Sequence, residues 1–309
     1  MIILTDDRGY AENLFSASGT WMPYSTKAVD PNLNLLKKRL FPTGSVFMKK
    51  SDFPGRWTHA VMVQHAPSSQ FDHLVDMNQQ DKKLPDGTLC LAGSGQNFHG
   101  QKQRLWAALE GNIHLAVCLS PHQAIKKFHS GFPLMVAISL IDALDAFESL
   151  RGRAKIKWVN DILIEGAKVA GFLVHTQSIE NTVLTAVLGI GLNVKSTPII
   201  QRDSFVPAVA SLKDFIREES GFNQKKVLSH LLFYLDHNYG RLLDGQHDEL
   251  LKSYRDRSLV IGRNVRVLSD TPLERSREIA SGVVVEVGEN LELLLKGHAP
   301  VTAGRLILL

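Results

Sequence analysis

The chain has 309 residues, room for about two domains of ~150 residues each, and 44% of them are hydrophobic, which excludes wholesale disorder. Its 35 basic and 31 acidic side chains leave a formal net charge of +4, scattered along the sequence. That excess suits an acidic small molecule or a nucleotide and lacks the concentrated basic stripe of a DNA-binding domain.

Residues 1–58 read as irregular, with the turn signals "FPTGS" and "SDFPGRW" and no helix-turn-helix pair carrying a basic face. Acids at Asp6 and Asp7 follow a very short apolar start, unlike a secretory signal, and no apolar run approaches the ~20 residues of a membrane span. A soluble, cytoplasmic protein is expected. Next, "HAVMVQ" predicts a strand, "FDHLVDMNQ" a helix, "TLCLAG" a strand and, after a loop, "NIHLAVCL" another strand. Cys90 and Cys118 fall in two of these runs without CxxC or Cys/His metal spacing, so buried thiols are expected, with a disulfide as the alternative. A helix is expected from Pro133, because Leu134, Ile138, Ile141 and Leu144 recur at helical spacing and proline suits a first turn.

Residues 155–174 predict two strands joined at Glu165-Gly166, and "TVLTAVLGIGLNV" a further strand. Residues 208–257 predict mostly helix, with Asn223 as a cap and Val227, Leu231, Leu235 and Leu242 along one face. From about residue 259 short β runs at close spacing suggest a small barrel. Strands and helices mix without a regular βαβ repeat, so the large part is α+β rather than doubly wound.

The segment "KWVNDILIEGAKVAGFLVH" carries the strongest chemical signal. Ile156, Trp158, Ile162 and Ile164 are strand-like apolar positions, yet Asn160, Asp161 and Lys168 interrupt them. Either these polar groups face solvent, or Lys168 meets an anion, since a buried lysine costs several kcal/mol without one. Lys157 is either a solvated strand end or part of the same site. Ser68 and Ser69 can cap the helix that follows or hydrogen-bond a ligand. Gly189 and Gly191 mark a bulge or the close approach of a ligand or backbone. Trp106 reads as a core anchor, and His73, His114 and His175 as structural or surface residues.

These residues also carry a resemblance. "KWVNDILIEGAKVAGFL" resembles the "KWPND…K(I/V/L)AG(I/F)L" signature of biotin protein ligases, and the likeness extends over roughly residues 59–309. "APSSQFDHL" is similar to that family's D-S-T-N…L stretch, "GNIHLAV" to "(G/A)NLYLS" and "LGIGLNV" to "(I)GIG(I/L)N". "QNFHGQKQRLW" resembles the family's arginine-rich loop "Q-x-A-G-R-G-R-x-G-R-x-W", which closes over an adenylate.

The resemblance implies a class II synthetase-like catalytic domain at 59–258 and an SH3-like β barrel at 259–309, with 1–58 an extension of unknown role. It implies an ATP-dependent ligase that forms biotinyl-5′-AMP and transfers biotin to a lysine of a biotin carboxyl carrier domain, with Mg²⁺ serving the ATP chemistry. No specific DNA and no membrane would be bound, and a homodimer is open. Lys168, Asp161 and Asn160 would be catalytic. Biotin would meet Ser68, Ser69, Gln70, Gln96, Gly100, Lys168, Gly171 and Gly191. The adenylate would meet His99, Gln101, Lys102, Arg104, Trp106, Lys157, Asn160 and Asn193. The loop departs from the pattern: Arg104 alone is kept as arginine, and Phe98 replaces a usual glycine. Two other readings stay open, a lipoate or octanoate ligase or transferase and a non-catalytic biotin- or carrier-binding protein.

Overall fold

A long mixed sheet presents one face to a cavity and the other to a layer of helices. The computed structural model describes residues 1–16, 19–25, 30–41, 44–199, 204–205, 208–216, 221–269 and 277–309. In chain order the first half contains β1 (Ile2–Thr5), α1 (Arg8–Leu14), β2 (Met22–Pro23), α2 (Pro31–Leu40), β3 (Phe47–Lys50), β4 (His59–Ala66), α3 (Gln70–Gln79), β5 (Thr88–Gly95), β6 (Ile113–Leu119), β7 (Gln123–Ala124) and α4 (Phe128–Asp145). Then come β8 (Ala154–Lys157), β9 (Asp161–Ile164), β10 (Ala167–Ile179), β11 (Thr182–Leu192), α5 (Gln224–Leu243) and α6 (His247–Asp256). The chain closes with β12 (Asn264–Leu268), β13 (Glu278–Val287), β14 (Leu293–Leu295) and β15 (Arg305–Leu308).

The large sheet runs β2-β3-β1-β4-β5-β6-β11-β10-β9-β8. β1, β4 and β5 are parallel, and the strands from β5 to β8 pair antiparallel. Against its helical face packs α4, with α5 and α6 behind it. By length and composition α4 is the one described helix long and apolar enough to cross a membrane, yet 78% of it is buried within the fold. β12 to β15 form a separate small antiparallel sheet in the order β14-β13-β12-β15.

Three expectations need correction. Residues 1–58 are not irregular throughout: β1 and β3 extend the large sheet, and two capped helices lie between them. The local signals were present, because Asp7 and Asp30 each accept a hydrogen bond from the first turn of their helix and Pro31 opens α2. Part of the expected turn "FPTGS" lies outside the described residues. Next, α4 begins five residues before Pro133, which sits inside it. Phe128 and Phe132 are buried and carry the apolar surface back across the proline. Gly131 admits Leu242 of α5, whose Cδ1 lies 2.6 Å from where a Cβ would be. Finally, residues 208–210 are not helical: Ala208 and Ala210 bracket Lys168 with backbone hydrogen bonds, and the long helix begins only at Gln224. Asn223 caps it as expected.

Cys90 and Cys118 are free and fully buried in adjacent strands, and burial pushes the Cys118 thiol up to about 12.

Candidate functional site

Strand register assembles the floor of the site. His114 of β6 pairs with Gly191 of β11, Gly191 with Gly171 of β10, and Gly171 with Asp161 of β9. The four therefore form one row across four strands, on one face. A second row, Ala116–Gly189–Leu173, lies alongside.

Lys168 should point to the opposite face, because strand side chains alternate and Lys168 is three positions from Gly171. A bulge re-aims it. Lys168 pairs with Leu163 while Ala170 pairs with Ile162, so two steps on β10 match one on β9. Lys168 thus joins Asp161 on the cavity side, with Nζ 2.6 Å from the Asp161 carboxylate, and each side chain is about one-fifth exposed. The backbone N–H of Lys168 donates to Ala208 O at 2.9 Å and its carbonyl accepts from Ala210 at 3.1 Å, so the bulged residue is held on both sides.

The floor encloses a cavity of about 570 Å³. Its roof is the start of α3 together with the loop of residues 98–107. Small residues make room for aromatic ones: Gly189 lies 2.8 Å, measured from an added Cβ, from the ring of Phe71, and a Cβ on Gly191 would collide with the indole of Trp106. The sequence left these glycines open between ligand, backbone and bulge; aromatic side chains take the space. Trp106 is half-buried, packing against the hydrophobic core as expected and also lining the cavity. Its Nε1 donates to His114 Nδ1 at 3.3 Å, and His114 Nε2 donates to Leu109 O at 3.0 Å. Burial lowers the His114 pKa to about 4, so the ring is neutral and this one tautomer satisfies both bonds. The structural reading of His114 holds, and its register with Gly191 is what brings it to the edge of the cavity.

Ser69 is the N-cap of α3 yet makes no capping hydrogen bond, and it lines the cavity beside Gln70. Gln70 Nε2 donates to His114 O at 2.7 Å, while its buried Oε1 accepts no hydrogen bond among the described residues. An incoming N–H donor would satisfy it. Ser68 and Gln96 are not brought to the cavity. Ser68 Oγ lies 2.8 Å from His73 Nε2, and Gln96 is exposed.

Asn160 is fixed by donating to Phe172 O at 2.6 Å and lines the cavity near Asp161. Asn193 also lines it, but its amide already donates to Ala210 O and accepts from Asn112. The solvated alternative for Lys157 does not hold, because it is 6% exposed and its Nζ donates to Phe205 O. It lines a second, adjoining cavity, as does Lys102, rather than the first.

The loop folds as a tight reversal, with Gly100 N donating to Arg104 O at 2.7 Å and Trp106 N to Phe98 O at 2.9 Å. Asn97, Lys102 and Gln103 adopt φ of 56°, 54° and 58°, which costs non-glycine residues about 1 kcal/mol each or more. His99 tethers the loop: Nδ1 faces Gly100 O and Nε2 faces the Asp72 carboxylate of α3, each at 2.9 Å. Two acceptors require two donors, hence an imidazolium. Burial opposes that charge, but the Gly100 carbonyl and Asp72 outweigh it and raise the pKa.

Comparison with known proteins accords with this geometry. Residues 68–193 match the Biotin/lipoate A/B protein ligase family. Over 189 residues the chain is 28% identical to the bifunctional ligase/repressor BirA of Bacillus spizizenii, covering 60% of this chain and 56% of that protein. It is 28% identical over 186 residues to the biotin–[acetyl-CoA-carboxylase] ligase of Mycobacterium tuberculosis, covering 59% of this chain and 65% of that one. The chain thus matches only about half to two-thirds of the length of these relatives. The fold is like that of biotin protein ligase from Aquifex aeolicus in complex with biotin and ATP, with a TM-score of 0.63 at 20% identity over 82% of this chain and 99% of that one.

Proposed function

We propose that this chain, whose residues 68–193 match the Biotin/lipoate A/B protein ligase family, is an ATP-dependent biotin protein ligase. The observation that carries this reading is Lys168, bulged onto the cavity face beside Asp161, between a neutral polar corner and the cationic loop. Biotin's ring needs hydrogen bonds rather than charge, and Ser69 with the unpaired Gln70 Oε1 offers an acceptor and a hydroxyl for it. Gly171 leaves room for the end of the Lys168 side chain, and Gly191 admits the Trp106 indole, which forms the wall beside the acid.

In the first half-reaction a carboxylate oxygen of biotin attacks the α-phosphorus of ATP. A C(O)–O–P bond forms, the bond to the bridging oxygen breaks, and its electron pair leaves with pyrophosphate. Lys168 lies between the two anions, offsetting their repulsion and stabilising the charge in transit. Asp161 supplies one carboxylate, which fits Mg²⁺ carried in on the phosphates, an ion commonly held by one or two carboxylates plus phosphate oxygens and supplying further positive charge. In the second half-reaction the acceptor lysine nitrogen attacks the acyl carbon, an amide forms, and AMP departs with the electron pair. Asp161 is placed to guide the proton lost by that amine. His99, Gln101, Lys102 and Arg104 close over the adenylate, with Gly100 at the turn, while Asn160 and Asn193 hold the ribose side.

On this reading the acceptor is a biotin carboxyl carrier domain, the protein works in the cytoplasm, and sequence-specific DNA is not bound. Residues 59–258 act as the catalytic unit, the small sheet at 259–309 is an SH3-like module, and 1–58 extend the edge of the large sheet. The deciding experiment is ATP–pyrophosphate exchange with biotin, lipoate and octanoate side by side in Mg²⁺. Exchange with biotin and little with the other two is expected, because a site that hydrogen-bonds the ring leaves buried groups unpaired around an aliphatic acid, a discrimination that reaches ~10⁴. Preference for lipoate or octanoate would move the assignment to that branch. Silence with all three would leave a binding protein.

A further inference from the structure

Four groups stand in sequence along the row His114–Gly191–Gly171–Asp161. The buried His114 imidazole occupies one end. The Trp106 indole fills the hollow at Gly191, the end of the Lys168 side chain fills the hollow at Gly171, and the Asp161 carboxylate closes the row. Each group meets the next: Trp106 Nε1 donates to His114 Nδ1 at 3.3 Å, Lys168 Nζ lies 5.8 Å from the centre of the indole ring, and Asp161 meets Lys168 at 2.6 Å. His114 is itself held from the far side, where Nε2 donates to Leu109 O at 3.0 Å and the ring packs edge-on against Phe98. An indole has one polar atom, so a single fixed acceptor sets the direction of its plane. Burial keeps the imidazole neutral, which lets Nδ1 be that acceptor. The family pattern has a tyrosine where "GNIHLAV" has His114. A phenol carries donor and acceptor on one atom, whereas the imidazole presents them on two and bridges the indole to the Leu109 carbonyl.

We propose that His114 is a positioning residue of the acyl site: by fixing the plane of the Trp106 indole it sets the wall against which the acid packs and the place of the Lys168 ammonium beside that wall. The inference rests on the ligase reading above and deepens it. The imidazole touches no reacting atom and acts through its side chain alone. Its backbone carbonyl, which accepts from Gln70 Nε2 at 2.7 Å, survives any substitution, so the polar corner stays in place when the ring is changed. An indole without its acceptor tilts out of the Gly191 hollow, and an acid against a loose wall brings its carboxylate to Lys168 less often. A compact polar ring bound in one pose loses most from this, while a flexible aliphatic tail adapts to the wider chamber and loses least.

Three variants of the full chain separate positioning from bulk. His114→Phe keeps an aromatic ring and removes both hydrogen bonds. His114→Gln keeps an acceptor for the indole and a donor for Leu109 O, and His114→Tyr keeps one oxygen for the two. The Trp106 indole N–H resonance, assigned by its loss in Trp106→Phe, should move upfield in His114→Phe and stay near its native position in His114→Gln. In ATP–pyrophosphate exchange, His114→Phe should raise the KM for biotin about 10-fold, leave the KM for ATP within twofold and narrow the preference for biotin over octanoate by a similar factor. His114→Gln should recover most of the loss. His114→Tyr should fall between, and it keeps the test open if the phenylalanine variant does not fold. An unmoved resonance in His114→Phe, a native KM for biotin, or equal losses for biotin and ATP would overturn the assignment. If the native chain supports exchange with no acid while the resonance still depends on His114, the ligase reading falls and the positioned wall stands.

Discussion

The two walls of the cavity are built by opposite means. The strand wall holds Lys168 and Asp161 within a ladder: each is paired with the other, and the Lys168 backbone is bonded on both sides. The loop wall, residues 98–106, carries Lys102, Arg104 and Leu105 exposed, Leu105 at 84%, and its backbone spends energy on left-handed residues. Groups that meet developing charge must sit within a fraction of an ångström of their place, and strands supply that. Groups that enclose a ligand must yield while it enters, and an exposed, strained loop supplies that.

The sharpest way to break this contrast is Lys168→Ala. If the strand wall holds the transition-state charge, adenylate formation should fall by about 10²–10³ or more, with circular dichroism unchanged. Adenylate at the native rate would reduce Lys168 to a structural partner of Asp161. A smaller effect is expected from Gly191→Ala, which probes the seam between the walls. The added methyl collides with Trp106, and since that residue belongs to the loop the loop should give way. A stability loss of about 1–3 kcal/mol in denaturant should accompany a shift in tryptophan emission. An unchanged emission would mean the walls are independent.

The smallest effect concerns the loop alone. Because the His99 pKa is raised from its usual 6.5, the tether is fully present below that pH and is lost as pH rises through the raised value. Asp72→Asn should lower the His99 pKa, seen in the imidazole resonances, and speed proteolysis of the loop a few-fold at mildly acidic pH. An unmoved resonance would place the tether elsewhere.

Much of this was legible in the residues. The Glu165-Gly166 hairpin, strand β11, the Asn223 cap and the buried thiols needed only periodicity and local chemistry, and "KWVND" with "AKVAG" marked the right wall, but residues 155–164, read as one strand, reverse at 158–160 into the antiparallel pair β8 and β9. What escaped was long-range. The bulge that turns Lys168 inward depends on how β9 and β10 pair, which neither segment encodes alone. Gln96 was grouped with the site by its neighbours in sequence, yet strand β5 ends before it and leaves it in solvent. Arg305 lies more than a hundred residues from every other cation of the second cavity, and a β run near the chain's end gave no hint of it. The helices of 1–58 were overlooked despite good caps, because their apolar stripes are short.

The glycine floor has one more consequence. Neither Gly189 nor Gly191 shapes the cavity; Phe71 from a helix and Trp106 from a loop do so by filling the hollow each glycine leaves. Depth is therefore set by side chains outside the sheet, and a shorter residue at position 71 lengthens the chamber without moving a single strand pairing. A lineage faced with a longer or slimmer carboxylic acid has an adjustable stop at that position, separate from the lysine that performs the chemistry.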